Sequence, residues 1–134
     1  MGTLNVILLG GAPERVLREA AQDTFEALAR LEGALSKFLP SSDLSLLNLL
    51  GASQPVRVGE DLRRLVRLAR EAWDVTGGAF DPTVGGLLEA WGLVRMEGRV
   101  PDEVEIRALL DVRGMDHVLV DDGDGTVRFD RPGV

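Results

Sequence analysis

The sequence predicts an α+β domain in which a mixed or antiparallel sheet is partly covered by helices. Three observations predict it. Apolar residues recur by threes and fours in two long stretches, from Leu17 to Leu35 and from Leu62 to Thr76, which marks helices that bury one stripe. Short runs that alternate like strands are interspersed with them. With 134 residues, 45% of them hydrophobic, the chain can bury one core and is too short for two, so residues 1–134 are expected to form a single domain.

Taken in order, Thr3 to Leu9 form a β-rich run that stops at Gly10-Gly11. Pro13-Glu14 opens the first helix, in which Leu17, Ala21, Thr24, Leu28, Leu31 and Leu35 line one face with Phe25 beside them. Ser41, Ser42 and Asp43 are capping side chains ahead of "LSLLNLL", a short helix ended by Gly51. "PVRV", Pro55 to Val58, alternates like a strand. In the second long helix Leu62, Leu65, Ala69, Ala72 and Thr76 share a face that Val66 and Trp73 widen, and Gly77 is its natural stop. Pro101 and Asp102 start a further helix through about Val112, ended near Gly114. His117 to Val120 and Thr126 to Phe129, joined by "DDGDG", read as a hairpin.

Composition excludes several functions. Fifteen basic against 22 acidic residues give a net charge of -7, which repels nucleic-acid backbones. Arg63, Arg64, Arg67 and Arg70 interleave with Glu60, Asp61 and Glu71, as expected of a solvated helix face. Without cysteine there is no thiolate chemistry, and one histidine cannot build a multi-His metal site. The longest apolar run, Val6 to Leu9, is far too short for a transmembrane segment, so the chain as written reads as cytoplasmic.

Several stretches invite functional labels that plainer readings cover better. "GGAPER" lacks the G-x-G-x-x-G order of a dinucleotide-binding turn. "DDGDG" has neither the glycine nor the glutamate of a calcium loop and reads as a hairpin turn. His117 reads as a polar residue at a strand edge, and Trp73 and Trp91 as core residues.

"TGGAFDPTVGGLLEAWG", Thr76 to Gly92, fits the plain reading less well. Gly77 suffices to end the helix, so Gly78 reads as an additional small residue that leaves Ala79, Phe80 and Asp81 open to a second molecule. Asp81-Pro82 suits the start of a helix or turn, and the side-chain-free Gly85-Gly86 step would let a phosphate or a flat ring approach a helix start. An ordinary connection between two helices remains the alternative.

"MGT" at Met1 to Thr3, "LSKFLPSSDLSLLN" at Leu35 to Asn48 and "TGGAFDPTVGGLLEAWG" resemble, in order and spacing, the ApbE family of FAD:protein FMN transferases. The resemblance covers essentially the whole chain and includes "VPDEVEIRALLDVRGMDHVLVDD". It implies an ApbE-like, T-fold-like sheet and an enzyme that, with Mg2+, moves the FMN half of FAD onto a threonine or serine of a target protein, releasing AMP. Carried over position by position, Met1 matches the methionine that contacts flavin, and Ala79, Phe80 and Asp81 match the segment that lines FAD. Thr83, Trp91 and Asn48 match family-typical positions with structural roles, and Ser36 and Ser42 look like caps or turn residues.

The chain departs from the family pattern at named places. Phe38 stands where the family usually has a tyrosine against FAD, which keeps the stacking and loses the hydroxyl. Gly86 stands where it commonly has proline. Relatives continue beyond a "PGV"-like strand end into a D-L-G-G segment and, later, the magnesium ligands, which are expected to be missing from this chain. The sequence thus reads as the front, truncated part of an ApbE-like protein, completed by a C-terminal half or a second copy, or else as a non-catalytic flavin-binding module. Relatives commonly carry a leader ahead of "MGT", which makes a periplasmic or lipid-anchored location the alternative. If the remainder covers one side of the sheet, this part should expose an apolar sheet face.

Overall fold

The computed structural model describes residues 4–94 and 96–134. Helix α1 (Glu14–Leu35), α2 (Asp43–Leu50), strand β1 (Val56–Arg57), α3 (Glu60–Val75), α4 (Gly85–Ala90), α5 (Glu103–Leu110), a 3-10 turn (Met115–His117), β2 (Val118–Asp121) and β3 (Thr126–Phe129) follow in order. The sheet is antiparallel in the order β1-β3-β2, as the predicted α+β class requires.

Register explains the core. Val56 and Val120 flank Val127, and Val118 faces Phe129, so five apolar side chains share one side of the sheet. Leu47 from α2 and Leu62 from α3 close over that side with Val58 and Met115, and Val66, Ala69 and Trp73 extend the packing along α3. The other side carries Arg57, Leu119, Asp121, Thr126 and Arg128. An apolar uncovered sheet face was expected; the alternation places charge there instead, and the exposed apolar surface lies on helices and loops.

The run from Thr3 to Leu9 is not a strand over its described residues. Leu4 and Leu8 are both 91% exposed, and among the described residues the ladder is built from β1, β2 and β3. β-propensity without a partner strand fixes no strand. The two long helices, the Ser42-capped helix and the hairpin stand where the periodicity and turn residues put them. Ser42 Oγ accepts from the Ser45 amide at 3.0 Å and donates to the Ser36 carbonyl at 2.6 Å, so it is both cap and turn residue. Gly51 ends α2 at a right-handed φ of -60, so its lack of a side chain answers a different need. A Cβ there would meet Leu47 and Phe129 within about 3.0 Å, where the Phe129 amide donates to the Gly51 carbonyl.

The arginines of α3 are more than a solvated face. Arg63 Nη1 donates to the carbonyl of Val58 at 2.7 Å and, more weakly, to that of Gly125 at 3.3 Å. Arg67 pairs with Glu60 and Asp122, and Arg70 Nη2 donates to the Val118 carbonyl at 2.6 Å. They tie the helix to the hairpin, while Arg64 is exposed. Trp73 packs on the core, whereas Trp91 stands at the end of α4, 39% exposed, because that short helix packs on α5 away from the sheet. His117 closes the 3-10 turn just before β2, its Nδ1 3.2 Å from the Asp130 carboxylate. Asp121 Oδ1 accepts the amides of Gly123 and Asp124, which makes "DDGDG" a hairpin turn. Among the described residues, no helix is long and apolar enough to cross a membrane.

Candidate functional site

The segment after α3 is shaped by its own backbone first. Gly78 N–H returns to the Trp73 carbonyl at 2.8 Å and Gly77 N–H to that of Asp74 at 3.2 Å, a paired closure that needs left-handed backbone. Gly77 and Gly78 supply it, with φ of +60 and +82. Gly77 meets the cap's need, and Gly78, which the sequence suggested was an additional small residue, has a left-handed φ of its own that also favours glycine. Its missing side chain also faces the Trp73 indole, 3.4 Å from where a Cβ would lie.

Beyond the two glycines the chain forms a pinned ledge. The Phe80 amide donates to Thr76 Oγ1 at 3.0 Å, and that hydroxyl donates in turn to the Ala72 carbonyl at 2.7 Å. One residue on, Asp81 Oδ1 accepts the Thr83 amide at 2.9 Å and the Thr83 hydroxyl at 2.6 Å, closing a turn around Pro82. Asp81 Oδ2 accepts from Arg113 Nη1 at 2.9 Å, with the Asp81 side chain only 3% exposed. Thr83 Oγ1 accepts the Gly114 amide at 2.7 Å. Asp81 is thus occupied with the protein's own donors, while Ala79 is exposed and the Phe80 side is open, with Phe80 47% exposed.

The Gly85-Gly86 step is divided. Nothing lies within 4 Å of a Cβ on Gly85, but one on Gly86 would sit 2.9 Å from Leu109 Cδ2. Gly86 lets α4 and α5 pack closely. The helix that begins there has six residues and no side-chain cap on Val84, so the expected anion-binding helix start is not built. Asp81-Pro82 begins a turn, and the helix comes only at Gly85.

Phe38 stands elsewhere. It lies in the turn between α1 and α2, 74% exposed, with Lys37 Nζ 5.2 Å from its ring centroid. Asp43, at the head of α2, holds the Gly59 amide at the start of α3, whereas Phe80 comes after the far end of that helix. At 1.5 Å per residue α3 is about 24 Å long, so the two aromatic residues are anchored at opposite ends of it. Met1 lies outside the described residues. Asn48 is exposed on α2, and Thr83 has the structural role read for it.

Neither of the two best-formed grooves among the described residues is lined by Phe38, Ala79, Phe80 or Asp81. One of about 430 Å³ runs between α3 and β2, bordered by Val66, Arg70 and Val118. One of about 300 Å³ lies beside Glu89 and Glu97. Among the described residues no group of three or more His, Cys, Asp or Glu could hold a metal ion. Sequence reasoning missed Thr76, Arg113 and Gly114 as parts of the ledge. Thr76 could have been suspected from its place at the helix end; Arg113 carries no spacing signal at all.

Charge around the hairpin is tuned by contacts. The hydrogen bond from Arg63 holds the Glu60 carboxyl below its usual range, against partial desolvation, with Arg67 adding to the effect. Partial desolvation raises the Asp130 carboxyl, but hydrogen bonds from His117 and Arg131, with their charges, outweigh it and leave it lowered.

A small antiparallel sheet capped by helices is the architecture this chain shares with solved ApbE structures. The sequence description of the ApbE family matches residues 1–134, and the chain belongs to that family. An FAD:protein FMN transferase of Klebsiella pneumoniae (strain 342) is 27% identical over 114 residues, which are 85% of this chain and 36% of the relative. The ApbE protein of Thermotoga maritima superposes with a TM-score of 0.77 at 34% identity, over 87% of this chain and 38% of that one. The apo flavinyl transferase ApbE of Pseudomonas stutzeri gives 0.74 at 30%, over 84% and 36%. The chain therefore spans a little over a third of the length of these relatives.

Proposed function

We propose that the chain is a single domain forming the N-terminal part of an FAD:protein FMN transferase, and that its share of the work is to bind and orient FAD. In this reading FAD is the substrate and lies against Ala79 and Phe80, with Phe38, Met1 and the backbone beside Asp81 as further contacts. The acceptor is a threonine or serine hydroxyl of a target protein. Its oxygen forms the new bond to the FMN phosphorus, its proton leaves, and the phosphorus–oxygen bond to AMP breaks.

The observation that carries the reading is the ledge: an exposed alanine and aromatic ring held firmly from both sides, in a chain that belongs to the ApbE family. A ring fixed by its backbone can stack on a flat heterocycle with little ordering cost. The described residues do not fit the magnesium ion that the resemblance implies, so no step through a metal is derived for this chain. In the proposed enzyme its ligands belong to a C-terminal half.

Fluorescence titration tests the reading. Saturable quenching of FAD by the 134-residue chain is expected, with Phe80→Ala weakening it on the order of tenfold. Quenching that never saturates would dispose of the proposal. The alternative reading is a flavin-binding module without catalysis. AMP release from FAD, with magnesium and an acceptor peptide, by the chain combined with a C-terminal half separates the two: a module releases none.

A further inference from the structure

We propose that Arg113 is a positioning residue for the Ala79–Phe80 ledge, acting through the carboxylate of Asp81 and not by touching the nucleotide. The ligand readout rests on the proposed flavin function; the lock itself does not.

At 3% exposure the Asp81 side chain is out of water, and a carboxylate there needs donors on both oxygens and a compensating charge. Thr83 satisfies Oδ1 with two neutral donors. The positive charge comes from Arg113 on Oδ2, the cation that pairs with Asp81 among the described residues. Arg113 lies in the segment between α5 and the 3-10 turn, and its neighbour Gly114 donates to Thr83 Oγ1 at 2.7 Å. Two ties on adjacent residues therefore fasten the turn at 81–83 to the segment at 113–114. Thr76 fastens Phe80 from the other side.

Without the guanidinium, the carboxylate is relieved by turning toward water. That motion pulls Pro82 and Thr83 out of their turn and frees the Phe80 ring, while the sheet core, built from other residues, stays closed. The rival is direct contact, since the Arg113 side chain is 35% exposed and could meet a phosphate itself.

A double-mutant cycle on FAD affinity separates them. R113A and D81N are each expected to weaken binding on the order of tenfold, and the double variant no more than the worse single, because both break one link. R113K, which keeps the charge and loses the planar fork, should recover part of the loss. Losses that multiply in the double variant would overturn the proposal. Amide exchange supplies the readout without ligand: R113A should accelerate Phe80, Thr83 and Gly114 at least about tenfold and leave the β2–β3 amides protected. Should the unaltered chain bind no FAD, the flavin reading falls and this exchange result alone decides the lock. Unchanged exchange at the ledge, or equal loss of hairpin protection in both R113A and R113K, would overturn it.

Discussion

Leu62 and Gly78 show how differently a single residue can matter here. Leu62 is 1% exposed between α3 and the sheet, so Leu62→Ala removes buried methyls and leaves a void. The expected cost is about 3 kcal/mol, read as a lower denaturation midpoint at unchanged slope. Gly78→Ala has no void to make; it forces an L side chain to φ of +82 against the Trp73 indole. The expected loss is about 1 kcal/mol, and its mark would be FAD affinity falling along with stability, since the ledge begins there. Gly78 was legible as glycine with a purpose, but its left-handed backbone was not. A sequence shows that a side chain is missing; only the backbone shows whether space or conformation required it.

At the scale of elements, α1 and α3 were legible because their stripes are local, repeating within one turn. Helix α2 was legible from Ser42, and the hairpin from its Asp-Gly turn. The supposed strand at Thr3 to Leu9 failed for the opposite reason: a ladder needs a partner, and no nearby residue announces one. The Asp81–Arg113 pair, 32 residues apart, was hidden likewise. The clamp of α3 on the hairpin gives a pH prediction. Glu60 has a folded pKa below its ordinary 4.5, so its contribution is present above that value and lost as pH falls through the lowered folded one. Wild type should exceed Glu60→Gln in melting temperature at pH 7, with the gap closing as pH falls below the ordinary carboxylate range. A gap that persists in acid would show that Glu60 acts by packing.

For the whole molecule, the accessible surface is 9276 Å², whereas a compact monomer of 14.5 kDa exposes about 6,900 Å². The excess fits the exposed Leu4, Leu8, Phe38, Leu49 and Val75. Exposed apolar side chains of this kind favour contact with other copies. Light scattering on the 134-residue chain should report a mass that rises with concentration, and a constant monomer mass up to high concentration would contradict this. The net charge of -7 opposes such contact at low salt, so added salt should strengthen it.

The tie between residues 81 and 113 joins segments 32 residues apart in sequence, and it bears on how the ledge could be moved. A variant that loses the arginine strands an anion in the protein's dry interior, and one that loses the aspartate leaves an idle cation beside it. Either loss alone is expected to loosen the ledge, so grafting it onto another scaffold means transplanting both residues.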